Sequence, residues 1–178
     1  MQEHKGPRNT ILPLVSKETR QQLSVELDDK SDGSNFGYRV LIRLETENPT
    51  IHDYLVEMFG LLKKRGPERA ISPMLWFAAG VYRMLELSGP LPKVSKEIGA
   101  PLQTDFLRDY KKFYRDLMVR ILRDNPEVAS FAVDCAFELM VDEDMEAAAW
   151  VPFAGCVVYR MLESQMESDA LFRRFGSK

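Results

Sequence analysis

Four side chains in this 178-residue sequence could bind a soft metal ion or form a thiol–imidazole pair: His4, His52, Cys135 and Cys156. A zinc-type site needs several such ligands clustered together. None of the four lies at ligand spacing from another, so no metal site is expected. Both cysteines sit among Ala, Val and Phe in helical stretches, where a thiol stays protonated and inert. A nucleophilic pair would require His52 to approach one of them. The run Asp28-Asp29-Lys30-Ser31-Asp32-Gly33-Ser34-Asn35 invites comparison with a calcium loop. A loop starting at Asp28 needs an oxygen ligand at its third position and glutamate at its twelfth. Those positions hold Lys30 and Arg39, so a solvated turn is expected. There is no Gly-rich phosphate loop, no G-x-S-x-G and no carboxylate pair in an apolar setting. No catalytic residue and no cofactor is expected, and the chain reads as a non-enzyme.

Cationic clusters offer binding chemistry instead. The stretch from Val94 to Phe106 reads as a short helix, a turn at Gly99 and a second helix. A helix-turn-helix over 94–115 would place Arg108, Lys111, Lys112 and Arg115 on one basic stripe facing nucleic acid. Against this, Phe106 falls one place late and Asp105 stands where the core residue should be. Asp105, Asp109 and Asp116 also neutralise the stripe locally. An interhelix connector with a solvated face is the plainer expectation. Arg83 and Arg160 lie in apolar surroundings. Each is expected to pair with the glutamate three residues on, Glu86 or Glu163, with its stem packed on the core. The alternative is that both guanidinium groups line one anion-binding cleft between two halves of the molecule.

The elements that position these residues follow from a repeat. Val81-Tyr82-Arg83-Met84-Leu85-Glu86 recurs as Val158-Tyr159-Arg160-Met161-Leu162-Glu163, an offset of 77 positions (82 to 159). Leu12-Pro13-Leu14-Val15-Ser16-Lys17-Glu18 recurs as Leu91-Pro92-Lys93-Val94-Ser95-Lys96-Glu97, an offset of 79 (15 to 94). Between these blocks Phe36 matches Phe113, Arg43 matches Arg120, and Asn48-Pro49 matches Asn125-Pro126. Collinear matches at nearly one spacing point to a tandem duplication. The expected fold is all-α: two three-helix units packed as one bundle about an approximate internal two-fold. Residues 1–11 form an N-terminal tail, 12–88 the first repeat, 91–165 the second, and 166–178 a C-terminal tail or helix extension.

In the second repeat, Phe106, Tyr110, Phe113, Leu117 and Ile121 mark one face of a helix over 103–124. Asn125 is expected to cap the next helix, with Pro126 at its first position, running to about Met140. A third helix should follow Asp142-Glu143-Asp144 and end near Glu163, kinked or broken at Pro152. Its apolar character around most of its circumference marks it as central. In the first repeat the third helix should restart at Ser72-Pro73 and stop at Ser88-Gly89-Pro90. The β-branched run Tyr38 to Leu44 is read as helix, because its counterpart lies in one.

Equivalent corners of the two repeats differ in charge. Lys63-Lys64-Arg65 aligns with Met140-Val141-Asp142, and Glu143 and Asp144 follow. Such corners can mark distinct ends of the molecule, at least one of them a contact surface. Apolar and charged fractions of 45% and 29% are those of an ordinary globular chain, and a net charge of −3 argues against a dedicated polyanion binder. No secretory segment or membrane span is expected, and two free cysteines fit the cytoplasm. The expected function is a regulator, adaptor or assembly component that binds another macromolecule, with a protein as the leading partner and homo-oligomers as a further option. The alternatives are a nucleic-acid-associated regulator using 94–115 and a small-ligand protein with a pocket between the repeats.

Overall fold

The computed structural model describes residues 11–28, 36–65, 67–101 and 110–175, leaving aside the side chains of 61, 62, 65, 110–114 and 175. Its principal helices are α1 (Lys17–Asp28), α2 (Phe36–Glu47), α3 (Pro49–Arg65), α4 (Ile71–Ser88), α5 (Tyr110–Asp124), α6 (Pro126–Val141) and α7 (Met145–Phe175). A 3-10 turn, Glu68–Ala70, leads into α4, and the chain is helical again over 96–101. Among the described residues there is no strand, and no helix is long and apolar enough to cross a membrane. The run around Tyr38 is helical because Phe36, Val40 and Leu44 recur every four residues and all three are buried.

The helices carrying the two Val-Tyr-Arg-Met-Leu-Glu copies, α4 and α7, make the most extensive contact among the described residues. Small residues let the layers approach. A Cβ on Gly155 would collide with the Phe77 ring, and one on Gly80 with the Phe131 ring. Around this seam Phe77, Val81, Met84 and Leu85 of α4 and Val158, Met161 and Leu162 of α7 are buried. Full burial of a side chain such as Leu162 contributes about 1.5–3 kcal/mol.

Two extended segments are held by the same contact. The Asn125 carboxamide accepts from the Val15 N–H at 2.9 Å and donates to the Pro13 carbonyl at 3.0 Å. The Asn48 carboxamide accepts from the Val94 N–H at 3.0 Å and donates to the Pro92 carbonyl at 3.0 Å. Each asparagine is buried and reaches a segment more than 40 residues away in sequence. The segment before α1 therefore docks at the start of α6, and the one after α4 docks at the start of α3. This exchange ties the early and late parts of the chain into one core.

Several helix boundaries differ from the sequence expectation. Asn125 sits at the N-cap of α6 with Pro126 following, yet its side chain makes no cap bond; the carboxamide is spent on the distant strap. Ser72 is not a cap, because α4 begins at Ile71, directly after the 3-10 turn. Pro152 lies inside α7, which runs on without interruption. Its flanking residues Val151, Phe153 and Ala154 are buried, and this packing outweighs the lost backbone bond. α7 also continues past Glu163 to Phe175. Gln165 there donates to Asp169 one turn on at 2.8 Å and accepts from the Ser95 N–H at 2.9 Å.

Candidate interaction surface

α6 is apolar on two sides. Its inner side, with Val128, Ala132, Ala136 and Leu139, enters the core. Its outer side carries Val133, Phe137 and Val141 at i, i+4 and i+8, with Met140 beside them, and these are 57%, 60%, 64% and 44% exposed. A helix at the surface ordinarily keeps one apolar stripe. A second one, contiguous and open to solvent, is the composition of a contact surface. Met145, at the start of α7, is exposed as well.

The stripe borders a groove of about 390 Å³ between α4 and α6. Pro73 and Trp76 form its α4 wall, and Cys135, Phe137 and the carboxylates Asp134 and Glu138 its α6 wall. Trp76 is fixed by the Phe36 ring at 5.9 Å. Arg20 of α1 lies 4.5 Å over the Phe131 ring and donates to the groove-lining Asp134 at 2.6 Å. The groove thus joins aromatic walls to a rim that carries the Glu138 carboxylate and the Arg20–Asp134 ion pair. Nothing local in the sequence pairs Arg20 with Asp134, which lies 114 positions away.

The corner after α6 is shaped by its own acids. The Glu143 N–H reaches the Met140 carbonyl at 3.1 Å and the Asp144 N–H the Leu139 carbonyl at 2.9 Å. This is a Schellman termination, whose left-handed position is occupied by Glu143 at φ 59°. Asp144 then caps α7, accepting from the Ala147 N–H at 3.1 Å. Asp142 is paired with Arg69 of the 3-10 turn, and Asp144 lies 3.5 Å from the same guanidinium. The acidic corner is therefore engaged within the chain, by a cation that follows the basic run of the other corner. Lys63 and Lys64 are exposed near the end of α3, and the Arg65 side chain lies outside the described residues.

Arg83 and Arg160 each belong to a carboxylate bridge. Glu86 Oε2 accepts from Arg83 at 2.7 Å and Arg43 at 2.6 Å. Glu163 Oε2 accepts from Arg160 at 2.7 Å and also from Arg120. Arg83 additionally forks onto Glu26, both bonds at 2.9 Å, and this holds its guanidinium above the ordinary arginine range. Burial pushes the Glu86 carboxyl up, but the hydrogen bonds from Arg83 and Arg43 outweigh it and leave the group below its usual range. The two bridges share no residue. A cleft of about 340 Å³ includes Arg83 and Arg43 in its lining.

Of the helix-turn-helix stripe, Arg108 lies outside the described residues. Lys111 and Lys112 are on α5 with side chains outside them, and Arg115 is exposed, 3.6 Å from Asp116. His52 contacts its neighbour Asp53 at 3.2 Å. Burial pushes the Cys135 thiol up to about 12 and raises that of Cys156 as well, so neither is a thiolate near neutral pH. Among the described residues no cluster of His, Cys, Asp and Glu is placed to hold a metal ion. Comparison with protein-family models, curated proteins and solved structures found no match to this chain.

Proposed function

We propose that this chain is a non-enzymatic cytoplasmic binding protein, and that the outer face of α6 with the adjoining α4–α6 groove is where it holds another protein. The observation that carries this reading is the contiguous exposed stripe Val133–Phe137–Val141 beside Trp76. Burying it against a partner helix would remove apolar surface from water, with Glu138 on the rim favouring a partner that presents a cation. Exposed pairs such as Tyr38 and Ile42 on α2 or Val119 and Leu122 on α5 span a single turn each, whereas the α6 stripe runs over two. The test is a photo-reactive phenylalanine analogue at position 137 and, as control, at exposed position 45 on α2. Irradiation in extract of the source cell should give a protein adduct from 137 alone. No adduct, or equal adducts from both positions, contradicts the reading.

We infer also that the scaffold is a tandem duplication, 12–88 and 91–165, packed about an approximate two-fold. Three pairs of contacts support this: the Asn48 and Asn125 clasps, the Glu86 and Glu163 bridges, and the serines at 16 and 95. The latter two precede helical starts and, after the local backbone N–H, lower the carboxyl pKa values of Glu18 and Glu97. On this alignment the positions of Val133, Phe137, Met140 and Val141 correspond to Val56, Gly60, Lys63 and Lys64. The contact surface would then be a specialisation of one half only.

A further inference from the structure

We propose that the α4–α6 groove receives the C-terminal arm of a second copy of this chain. The inference rests on the reading of α6 as an interaction surface and names its occupant. The arm is the end of α7. Leu171 and Phe172 are 56% and 76% exposed there, followed by exposed Arg173 and Arg174. Two apolar side chains next to two cations match a groove of aromatic walls with the Glu138 carboxylate on its rim, beside an Asp134 that Arg20 already holds. Phe172 would stack beside Trp76 and Phe137, and Arg174 would meet Glu138.

The arm cannot reach its own groove. α6 and α7 are joined by three residues, 142–144, and pack against each other, so they run antiparallel. At 1.5 Å per residue, α6 is level with the first 16 residues of α7, and Phe172 lies about 18 Å beyond that. Phe137 lies about 16 Å back from the same level. The two are thus about 35 Å apart along a helix that runs unbroken to Phe175. Each copy offers one arm and one groove at opposite ends, which is a heterologous contact when it does not close on itself.

The test is the sedimentation of three proteins across a concentration series: wild type, an arm variant (Leu171→Ser with Phe172→Ser) and a groove variant (Phe137→Ser). Wild type should self-associate. Each variant alone should be monomeric, and an equimolar mixture should form a dimer, because one intact arm meets one intact groove. Both variants alter exposed side chains, and their helical circular dichroism should match wild type. Should either fail to fold, Arg174→Glu should weaken self-association about tenfold, and adding Glu138→Arg should restore it. A wild type that stays monomeric to roughly 1 mM overturns the proposal, as does an association that both variants retain or a mixture that stays monomeric. A monomeric wild type that still gives the position-137 adduct with another protein overturns self-docking and leaves the interaction surface intact. A monomer that gives no adduct removes both.

Discussion

The carboxamide of Asn125 accepts the backbone N–H of Val15, 110 positions earlier in the chain, at 2.9 Å. Asn48 holds Val94 in the same way at 3.0 Å. Both asparagines are buried, so removing either carboxamide strands the backbone groups of the segment it holds. Asn48→Ala and Asn125→Ala should each cost about 1–3 kcal/mol per stranded group, and the two losses should agree within about 1 kcal/mol if the halves are equivalent. Urea unfolding of the two variants checks this. A loss confined to one of them would count against the proposed duplication.

Tyr54, which aligns with Phe131 on the proposed duplication, has its hydroxyl buried with no hydrogen-bond partner. Burial raises its pKa well above the ordinary tyrosine value. Tyr54→Phe removes an unsatisfied polar group and little volume. It should raise stability by about 1 kcal/mol, read as a higher thermal midpoint. A lower midpoint would mean that the hydroxyl is satisfied in solution.

Glu143 holds a left-handed backbone conformation, φ 59°, that glycine adopts without strain. Glu143→Gly should raise stability by about 1 kcal/mol. Asp144→Ala, which removes the α7 cap, should lower it by about 0.5–2 kcal/mol. The opposite signs at adjacent acids separate a structural corner from a merely charged one.

Cys135 lines the groove, yet burial pushes its thiol up to about 12 from an ordinary 9.0. A group whose folded pKa is raised contributes stability that is fully present below the unfolded value and is lost as pH rises through the folded one. Stability should therefore decline between about pH 9 and 12 from this source, and less so in Cys135→Ala. At pH 8 the thiol should react with iodoacetamide far more slowly than a free cysteine, with a rate that jumps on unfolding. Fast labelling of the native protein would show an accessible thiolate.

The residues that recur in the sequence are the ones that recur as contacts: Asn48 with Asn125, Glu86 with Glu163, Arg83 with Arg160. The pairing of Arg83 with Glu86 and of Arg160 with Glu163 was legible because an arginine in an apolar stretch needs a partner and the i+3 glutamates supply one locally; the asparagine clasps were not, since Asn125 reads locally as a helix cap. The contact surface was not legible. Val133, Phe137 and Val141 are ordinary core types at helical spacing, and only the packing of the opposite face of α6 shows that they point outward. Arg20 and Arg69 were missed for the opposite reason: each meets its acid across more than 70 residues of sequence, which no local pattern encodes. The charge difference between the corners was visible, and acids suit the N-terminus of the next helix, but their pairing with Arg69 was not legible.

The outer face of α6 is tested by whether a Val133→Ser, Phe137→Ser protein still binds the photo-cross-linked partner. Both side chains are more than half exposed, so the thermal midpoint should stay near that of wild type, whereas Leu162→Ala should lose about 2–5 kcal/mol. The surface variant should keep its midpoint and bind the partner at least about tenfold more weakly. Unchanged binding by a variant with an unchanged midpoint would contradict the assignment of this face.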